Sequence, residues 1–536
     1  MAFLRIENKP QGQYLRIIEA KREGAKIKHH IICSLGKVED YTPEMLKNIA
    51  LKLYQLGGGD VRDLLRLNTS EEGRYNYGFY VVFKRLFDWF ELDKVLARTM
   101  KREKLSFNLY HSVLLMLMER LNDPCSKLAS YDHQQEYVGL EPISLQHLYR
   151  ALDRLYEDKD HIQGQIYNKS RSLFNQPLDV VFYDVTTLYF ESEVEKEGSI
   201  RQKGFSKDGK IGTTQVLFTL LIDKQKQPIA YQVYKGDTFE GHTFKDAIEK
   251  LKTQYQIGKI ITVADRGMLS KDNLTAITSQ TGYEYILGER LRTLPEKLKE
   301  KLTDLKNYEQ EWIANEEKNM VIRYTTTTYE GRIIIGTWSA ERAKKDKQER
   351  EERLQRGQYL VEHPELIKKK ASLYFVKEQE KGQYTLDEER AHHQARYDGF
   401  LAIATNAKDI DTATVLDHYK HLFQIEHCFR TFKTFLQTRP MFHWTDKRIE
   451  GHLCLCFIAY TLLNHLQLRL KLNKTPLSEN QIRKALNDMQ VSKLKQADSL
   501  FYLRAKLTEH QNYIYNILKI KQLPDLMPVE SLHKYL

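Results

Sequence analysis

The chain has 536 residues, 41% of them hydrophobic, which suffices for roughly two to four globular domains. It carries 83 Lys and Arg against 72 Asp and Glu, and the net charge of +11 suggests a polyanionic partner, although many basic proteins bind none. The five cysteines have no paired spacing, which argues against a disulfide framework and a zinc site and fits a reducing cytoplasm. The most apolar run, 453–463, is shorter than the roughly 20 residues that a membrane helix needs, so we expect no membrane segment. Residues 1–7 contain no apolar stretch of the kind found in signal peptides, so we expect no export signal.

Residues 1–60 are predicted to form a small unit of a β-hairpin and a helix. Two runs rich in strand-forming residues, 14–18 and 26–32, flank a polar turn and predict the hairpin. A Thr-Pro pair at 42–43 is a helix-start pattern, and the glycines at 57–59 should end that helix.

The segment 61–175 is predicted to be a helical domain that binds DNA. From about Tyr77 its apolar residues recur every three or four positions. Its last part, 144–155, is the helix that could dock on DNA, although amphipathic helices with Arg on one face are commonplace.

The segment 176–289 is predicted to run in the order strand, strand, strand, helix, strand, helix, strand. The strands are predicted at 178–190, 213–222, 229–234, 259–264 and 283–287. The second and third are joined by a short connector and should be antiparallel neighbours. The fourth is a continuous apolar run, which is typical of a central parallel strand covered on both faces.

Residues 290–405 interrupt this pattern and are predicted to be a β-rich insertion. Strand-like stretches at 321–325 and 332–338 flank a turn, and a heavily charged helix should run from 340 to about 356. The charges on that helix are mixed, so a solvated face is the default interpretation and nucleic-acid contact the less favoured one.

Three acidic residues lie among hydrophobic neighbours. Asp184 is in the middle of the first predicted strand, and Asp265 ends the fourth. Glu426 belongs to a predicted helix, where it shares one face with Tyr419 and Lys433 because the three are spaced seven residues apart. A lone strand Asp often caps a loop, and a lone helical Glu is ordinarily a surface residue. A buried carboxylate, by contrast, must be neutralised, paired or bound to a cation.

The predicted order of elements brings these three carboxylates together. Antiparallel strands followed by a helix and a parallel strand beside the first describe an RNase H-like arrangement. The expected fold class is therefore α/β, with an RNase H-like catalytic core at 176–289 and 406–450, interrupted by the β-rich insertion. The regions on either side are expected to be helical, the C-terminal one spanning 451–536.

A cluster of three carboxylates predicts a metal site. Like charges repel unless a divalent cation is present, and hard oxygen ligands select Mg²⁺ or Mn²⁺. Two such ions, about 4 Å apart, would activate a water or a 3′-hydroxyl and stabilise the leaving oxygen of a phosphodiester. The chemistry implied is cleavage or transfer of DNA or RNA strands.

At this point the motifs resemble those of the DDE transposases of bacterial insertion sequences, in the cut-and-paste branch with a Tyr-Arg-Glu-Lys signature. The resemblance runs from about 178 to 452. It is carried by Tyr183-Asp184-Val185-Thr186-Thr187, by Ala264-Asp265-Arg266-Gly267, and by Tyr419, Glu426 and Lys433 at the family spacing. Each motif alone is weak, but the three in order form a specific match.

The resemblance implies roles for individual residues. The implied catalytic residues are Asp184, Asp265 and Glu426, which are also the implied metal ligands. They are expected to hold two Mg²⁺ ions, for which Mn²⁺ can substitute. The resemblance also implies that Tyr419 and Lys433 contact transposon-end DNA. Four further residues are expected to contact DNA independently of it, namely Lys420, Arg430, Arg266 and Trp444. The insertion is expected to help hold the transposon end.

The chain departs from the signature at one position, where Leu422 replaces the Arg. Lys420 directly follows the signature Tyr, and Arg430 lies one turn after Glu426. Either of the two is expected to supply the missing charge.

The leading functional hypothesis is a transposase that binds terminal inverted repeats, cuts at the ends and joins the 3′-hydroxyls to target DNA. It would act in the bacterial cytoplasm, associated with the nucleoid, as a homodimer in the synaptic complex. One alternative is a metal-dependent nuclease of the same fold that only hydrolyses. The other is a DNA-binding protein with an inactive catalytic site. Trp444 is expected either to stack on an unpaired base or to pack in the helical core.

Overall fold

The computed structural model describes residues 2–23, 26–60, 69–174, 180–204, 212–255, 260–315, 320–367, 375–380, 382–496 and 499–536. The chain divides into two compact units. The first comprises Met1–Leu86, Leu128–Ser144 and Arg469–Leu536, and the second comprises Phe87–Lys127 and Leu145–Leu468. Parts of the sequence predictions at 24–25, 61–68, 175–179, 205–211 and 256–259 lie outside the described residues.

Strands and helices are numbered in chain order over the described residues. The strands are β1 (Ala2–Lys9), β2 (Gly12–Glu23), β3 (Lys26–Lys37), β4 (Thr69–Asn76), β5 (Val180–Tyr189), β6 (Gln202–Lys203), β7 (Thr214–Ile222), β8 (Pro228–Lys235), β9 (Ile260–Ala264), β10 (Tyr283–Glu289), β11 (Gln310–Asn315), β12 (Met320–Tyr329), β13 (Arg332–Trp338), β14 (Val376–Glu380), β15 (Gln383–Leu386), β16 (Phe400–Thr405), β17 (Gln490–Gln496), β18 (Ser499–Arg504) and β19 (Leu526–Pro528). The α-helices are α1 (Pro43–Leu56), α2 (Gly78–Trp89), α3 (Leu92–Arg102), α4 (Leu109–Asn122), α5 (Lys127–His133), α6 (Leu145–Glu157), α7 (Lys159–Phe174), α8 (Glu240–Thr253), α9 (Lys271–Thr278), α10 (Glu296–Thr303), α11 (Ala340–Glu362), α12 (Glu388–Ala395), α13 (Thr412–Lys420), α14 (Phe423–Arg430), α15 (Asp446–Leu472), α16 (Glu479–Asn487) and α17 (Glu509–Leu518).

The N-terminal part of the first unit is a three-stranded antiparallel sheet followed by a helix. The predicted hairpin is the pair β2–β3, and β1 adds an unpredicted strand to its edge. β1 was hard to predict because its side chains are almost all exposed, so no apolar alternation marks it. Helix α1 begins at Pro43 as predicted, and the Thr42 hydroxyl accepts a hydrogen bond from the Met45 N–H at 3.2 Å.

The second sheet of this unit, in the order β19-β18-β17-β4, corrects two predictions. The sequence predicts helices over 451–536, yet β17 and β18 form an antiparallel hairpin there. It also predicts a wholly helical segment over 61–175, yet β4 lies within it and pairs with β17. The sequence of β4, TSEEGRYN, has no apolar run, so its strand conformation depends on backbone hydrogen bonds to a partner more than 400 residues away in the chain.

The second unit is built around a 10-stranded sheet. In its middle, β7 is antiparallel to both β5 and β8, whereas β9 lies between β5 and β10 and is parallel to both. This order, β8-β7-β5-β9-β10, confirms the RNase H-like arrangement. All residues of β9 are buried, as expected for a central parallel strand.

The strands of the predicted insertion continue this sheet. β16 pairs with β10 on one side and with β13 on the other, and β12 and β11 follow. β14 and β15 form a separate hairpin. Helix α11 is longer than predicted and begins directly after β13, an interior strand of this sheet.

Helix α15 contains the most apolar run of the sequence. By length and composition it could cross a membrane, but 83% of its most apolar window is buried inside the protein, as in the core helix of a globular unit. Gly451 allows α15 to approach α6, because a Cβ at this position would overlap the backbone carbonyl of Leu152.

We therefore expect Gly451→Ala to destabilise the second unit by about 1–3 kcal/mol, since the overlapping atom belongs to a backbone that must shift. Chemical denaturation followed by circular dichroism measures this change. Gly164→Ala in α7 is the matched control, because a Cβ there meets nothing within 4 Å and Ala in a helix interior gains about 0.5–1 kcal/mol. Equal effects of the two substitutions would contradict the close packing of α15 on α6.

Candidate active site

Two acidic side chains follow paired residues on neighbouring parallel strands. Tyr183 of β5 and Ala264 of β9 are register partners. Asp184 is the next residue of β5, and Asp265 directly follows the last residue of β9. Because adjacent strands lie about 4.8 Å apart, the two Asp residues emerge side by side. The sequence prediction that the first and fourth strands are neighbours is thereby confirmed.

Packing beneath the strands fixes the backbone of both Asp residues. The Tyr183 hydroxyl shares a 2.6 Å hydrogen bond with Thr243 of α8, which ties β5 to the helix below it. After β9, the buried Asn273 side chain donates a hydrogen bond to the Met268 carbonyl at 2.9 Å and holds the turn. Asp265 begins this turn, but its carboxylate makes no capping hydrogen bond.

Glu426 is placed by its neighbours on α14. Ile425, Cys428 and Phe429 are buried, and the following Phe432 packs against Phe218 of β7 at 5.2 Å between ring centroids. Glu426 itself is exposed. Although Glu426 has hydrophobic neighbours in the sequence, its side chain is not part of the core, because the core side of α14 is occupied by these apolar side chains.

The signature residues do not lie on one continuous helix, as the sequence argument assumed. α13 ends at Lys420, and α14 begins at Phe423. Between them the Leu422 N–H donates to the Tyr419 carbonyl at 3.1 Å, a 3₁₀-type bond that tightens the turn. Lys433 belongs to a π-helical turn, Thr431–Phe435.

A single cavity of about 1410 Å³ nevertheless collects nearly all the predicted site residues. Its lining includes Asp184, Asp265, Glu426, Arg266, Tyr419, Lys420, Arg430 and Lys433. Arg and Lys outnumber Asp and Glu in this lining, so the cavity surrounds its carboxylates with positive charge. Such a surface suits a polyanion that reaches a metal site.

The donor set fits hard divalent cations. No His or Cys is among the described residues that line the cavity, which leaves carboxylate oxygens as ligands. Within the described chain, the ligand atoms of Asp184, Asp265 and Glu426 do not all lie within 4.8 Å of one another, the spacing for one shared ion.

Tyr419 lies partly buried between opposite charges in the cavity. Burial raises the pKa of its phenol, and the negative charge of Asp265 raises that pKa further. The positive charges of Arg266 and Arg342 act in the opposite direction. The hydroxyl also lies against Gly288 of β10, where a Cβ would be only 2.6 Å from it.

Lys420 and Arg430 are held differently. The Lys420 ammonium donates a hydrogen bond to the Ala314 carbonyl of β11 and lies 5.8 Å from the Trp312 ring centroid. Arg430 is exposed on α14. Lys420 is thus partly engaged by the protein itself.

Trp444 lies outside the cavity lining. It is 65% exposed, so the alternative that it packs in the helical core is wrong. Its ring lies 4.4 Å from the guanidinium carbon of Arg201, whose Nε donates to Thr214 Oγ1 at 2.9 Å. An exposed aromatic ring is therefore supported from one side by an anchored cation.

The family model described as "Transposase DDE domain" matches residues 175–462, more than half of the chain and a range that contains all three carboxylates. The chain belongs to the DDE transposase family. No curated protein matches it.

Solved structures similar to this transposase include "Mos1 transposase paired-end complex with left transposon end", at 12% identity over 45% of this chain and 76% of that one, with a TM-score of 0.14. Another is "Crystal structure of the Mos1 mariner paired end complex with Mn", at 13% identity over 46% and 78%, with a TM-score of 0.14. The family assignment rests on the family model and not on these two structures.

Sequence reasoning missed three residues at the cavity of the transposase, which are Gly288, Glu289 and Arg342. Glu289 follows Gly288 at the end of β10, and its buried carboxylate lies 3.4 Å from the Arg332 guanidinium. Burial raises the pKa of Glu289, and Arg332 opposes that rise. The signal was the Gly-Glu-Arg sequence after a buried strand, the same kind of strand end that drew attention to Asp265.

The close approach at Gly288 is testable by a double-mutant cycle. Gly288→Ala is expected to cost about 1–3 kcal/mol of unfolding free energy, because the methyl group meets the Tyr419 hydroxyl and the Arg266 backbone. The same substitution should cost less in a Tyr419→Phe background, where the clashing oxygen is gone. Denaturant unfolding of the four proteins measures the coupling. Strict additivity would show that Tyr419 does not lie against Gly288.

Proposed function

We propose that this DDE transposase binds the terminal inverted repeats of its insertion sequence and catalyses divalent-metal-dependent strand cleavage and strand transfer. The observation that carries the proposal is the meeting of Asp184, Asp265 and Glu426 in one cavity whose lining is otherwise rich in Arg and Lys. Carboxylates surrounded by cations suit a reaction in which metal ions and a phosphodiester must share one site.

The proposed roles of the residues follow from their chemistry. Asp184, Asp265 and Glu426 would hold two Mg²⁺ ions, with Mn²⁺ as a substitute. When bound, such ions lower the pKa of the attacking water or 3′-hydroxyl and stabilise the leaving oxygen. Lys433 and Arg430 would neutralise phosphates beside the cleaved bond, and strong salt dependence of binding should follow.

Other parts of the chain have supporting roles in this proposal. The helical segment within 61–175 would contribute to recognition of the repeat. Joining of two ends calls for at least two protomers, so we propose a homodimer in the synaptic complex. The proposed setting is the bacterial cytoplasm, at the nucleoid.

The test of catalysis uses a labelled duplex that carries the inverted repeat found beside the coding region. Glu426→Gln is expected to lower the cleavage rate in Mg²⁺ by at least about 100-fold, since losing one metal ligand removes several kcal/mol of transition-state stabilisation. Binding of the end, measured by mobility shift, should stay unchanged. Loss of binding and cleavage together would make Glu426 a structural residue instead.

Glu352→Gln is the matched control for this test. Glu352 is an exposed carboxylate on α11 that does not line the cavity, so its neutralisation should change neither quantity. A comparable loss in this control would mean that the effect of Glu426→Gln reflects overall charge.

The two alternative functions separate in the same assay. A hydrolytic nuclease would cut the labelled end but would not join a pre-cut 3′-end to a plasmid. A DNA-binding protein with an inactive site would shift the duplex but leave it intact in both Mg²⁺ and Mn²⁺. The proposed transposase cuts the labelled end and also joins a pre-cut 3′-end to the plasmid. In the joining reaction the 3′-hydroxyl replaces water as the attacking group.

We also propose that Trp444 stacks on an unpaired base near the cleaved end, since it is exposed and supported by Arg201. Trp444→Ala should weaken binding of an end with unpaired terminal bases by about 1–3 kcal/mol and bind a fully paired end almost normally. Trp444→Phe keeps an aromatic ring and should retain most of the affinity. Fluorescence of 2-aminopurine at the terminal position measures the stacking. Equal weakening on both duplexes would contradict this role.

A further inference from the structure

The signature of this family places a cation three residues after the Tyr and four before the Glu, and here that position is Leu422. Leu422 is half-buried and lines the cavity, so it leaves an apolar patch between Tyr419 and Glu426. A phosphate bound at this point would need a positive charge from another element.

The two neighbours in sequence are poor replacements. Lys420 is bonded to the Ala314 carbonyl and lies over the Trp312 ring. Arg430 is eight residues after Leu422, which along a helix is about 12 Å. Arg430 therefore lies beyond Glu426, on the side of Lys433, and not on the side of Tyr419.

Arg342 lies on the Tyr419 side. It lines the same cavity from the first turn of α11, and it is one of two cations whose charge lowers the pKa of Tyr419. Its side chain is half-exposed, and its nearest acidic group is the Asp346 carboxylate at 3.6 Å. At that distance the ion pair is long, so the guanidinium can still donate hydrogen bonds to a closer anion.

The start of α11 is fastened so that Arg342 stays at the cavity. The Ser339 hydroxyl caps the helix by accepting from the Arg342 N–H at 3.3 Å. The Asp346 carboxylate accepts from the Gly399 N–H at 3.0 Å, and Arg350 forms an ion pair with Asp398. Two turns of the helix are thus tied to the residues that lead into β16.

Arg266 is the other cation near Tyr419. Its backbone N–H lies against Gly288, and it directly follows the metal-ligand candidate Asp265 in the chain. Arg266 belongs to the turn after β9, on the Asp265 side of the cavity, whereas Arg342 comes from α11.

We propose that Arg342 supplies the phosphate-contacting cation that is missing at position 422, so that α11 of the inserted segment completes the site from across the cavity. The ligand is a backbone phosphate of the transposon end, close to the cleaved bond. This inference rests on the proposed function, because it assumes that the cavity binds that end.

The test compares Arg342→Ala with the double variant Arg342→Ala/Leu422→Arg on the labelled end. Arg342→Ala should weaken end binding about 10-fold, the value of one charge-assisted hydrogen bond. It should also reduce the slope of log affinity against log salt concentration by about one, the value for one lost phosphate contact. The double variant should regain most of the affinity and the cleavage rate, because it restores the cation at the signature position.

Lys344→Ala is the matched control on the same helix, since Lys344 is exposed and does not line the cavity. It should change neither the affinity nor the salt slope by a comparable amount. Arg342→Gln serves as a second variant, because it preserves most of the side chain's packing while removing its charge. Thermal unfolding of each variant verifies that the fold is retained.

The outcomes distinguish the two proposals. If the unaltered transposase cleaves its end and Arg342→Ala behaves like Lys344→Ala, the role of Arg342 is wrong while the proposed function stands. If Leu422→Arg rescues Arg266→Ala but not Arg342→Ala, Arg266 is the substituting cation and the inference is overturned. If the unaltered protein neither binds nor cleaves the end, the proposed function fails and this inference fails with it.

Discussion

The pairing of β5 with β9 imposes the central constraint on this structure. Their register sets Asp184 and Asp265 side by side, and the like charges of two neighbouring carboxylates repel each other unless positive charge lies beside them. The protein surrounds them with Arg and Lys but ties Asp265 to no capping bond. In the proposed function, these carboxylates hold divalent cations and the neighbouring Arg and Lys side chains contact phosphates.

The third carboxylate depends on apolar packing more than on polar contacts. Glu426 is exposed, yet its position is determined because Ile425, Cys428 and Phe429 are buried on the opposite side of α14. A 3₁₀-type turn separates α13, which carries Tyr419, from α14, which carries Glu426. The seven-residue spacing of the signature therefore works through short helical segments that meet at one cavity, and not through one straight helical face.

The inserted segment is continuous with the sheet that carries Asp184. Since β16 pairs with both β10 and β13, the sheet that carries the carboxylates continues without a break into the strands of 290–405. Helix α11 starts at the end of β13 and is fixed to the turn before β16 through Asp346 and Arg350. The charged residues of α11 therefore have two different environments. Some hold the helix in place, and Arg342 faces the cavity.

The sequence by itself determined the RNase H-like order of strands, the positions of Asp184, Asp265 and Glu426, and the family. It could do so because β-branched runs, short connectors and motif spacing are local properties of the chain. It did not determine that Glu426 is exposed, that α13 and α14 are separate, or that β4 pairs with β17, because each depends on partners distant in sequence. Only the tertiary structure brought Arg342 and Gly288 to the cavity, since the contacts that place them cross between strands and helices that no local pattern connects.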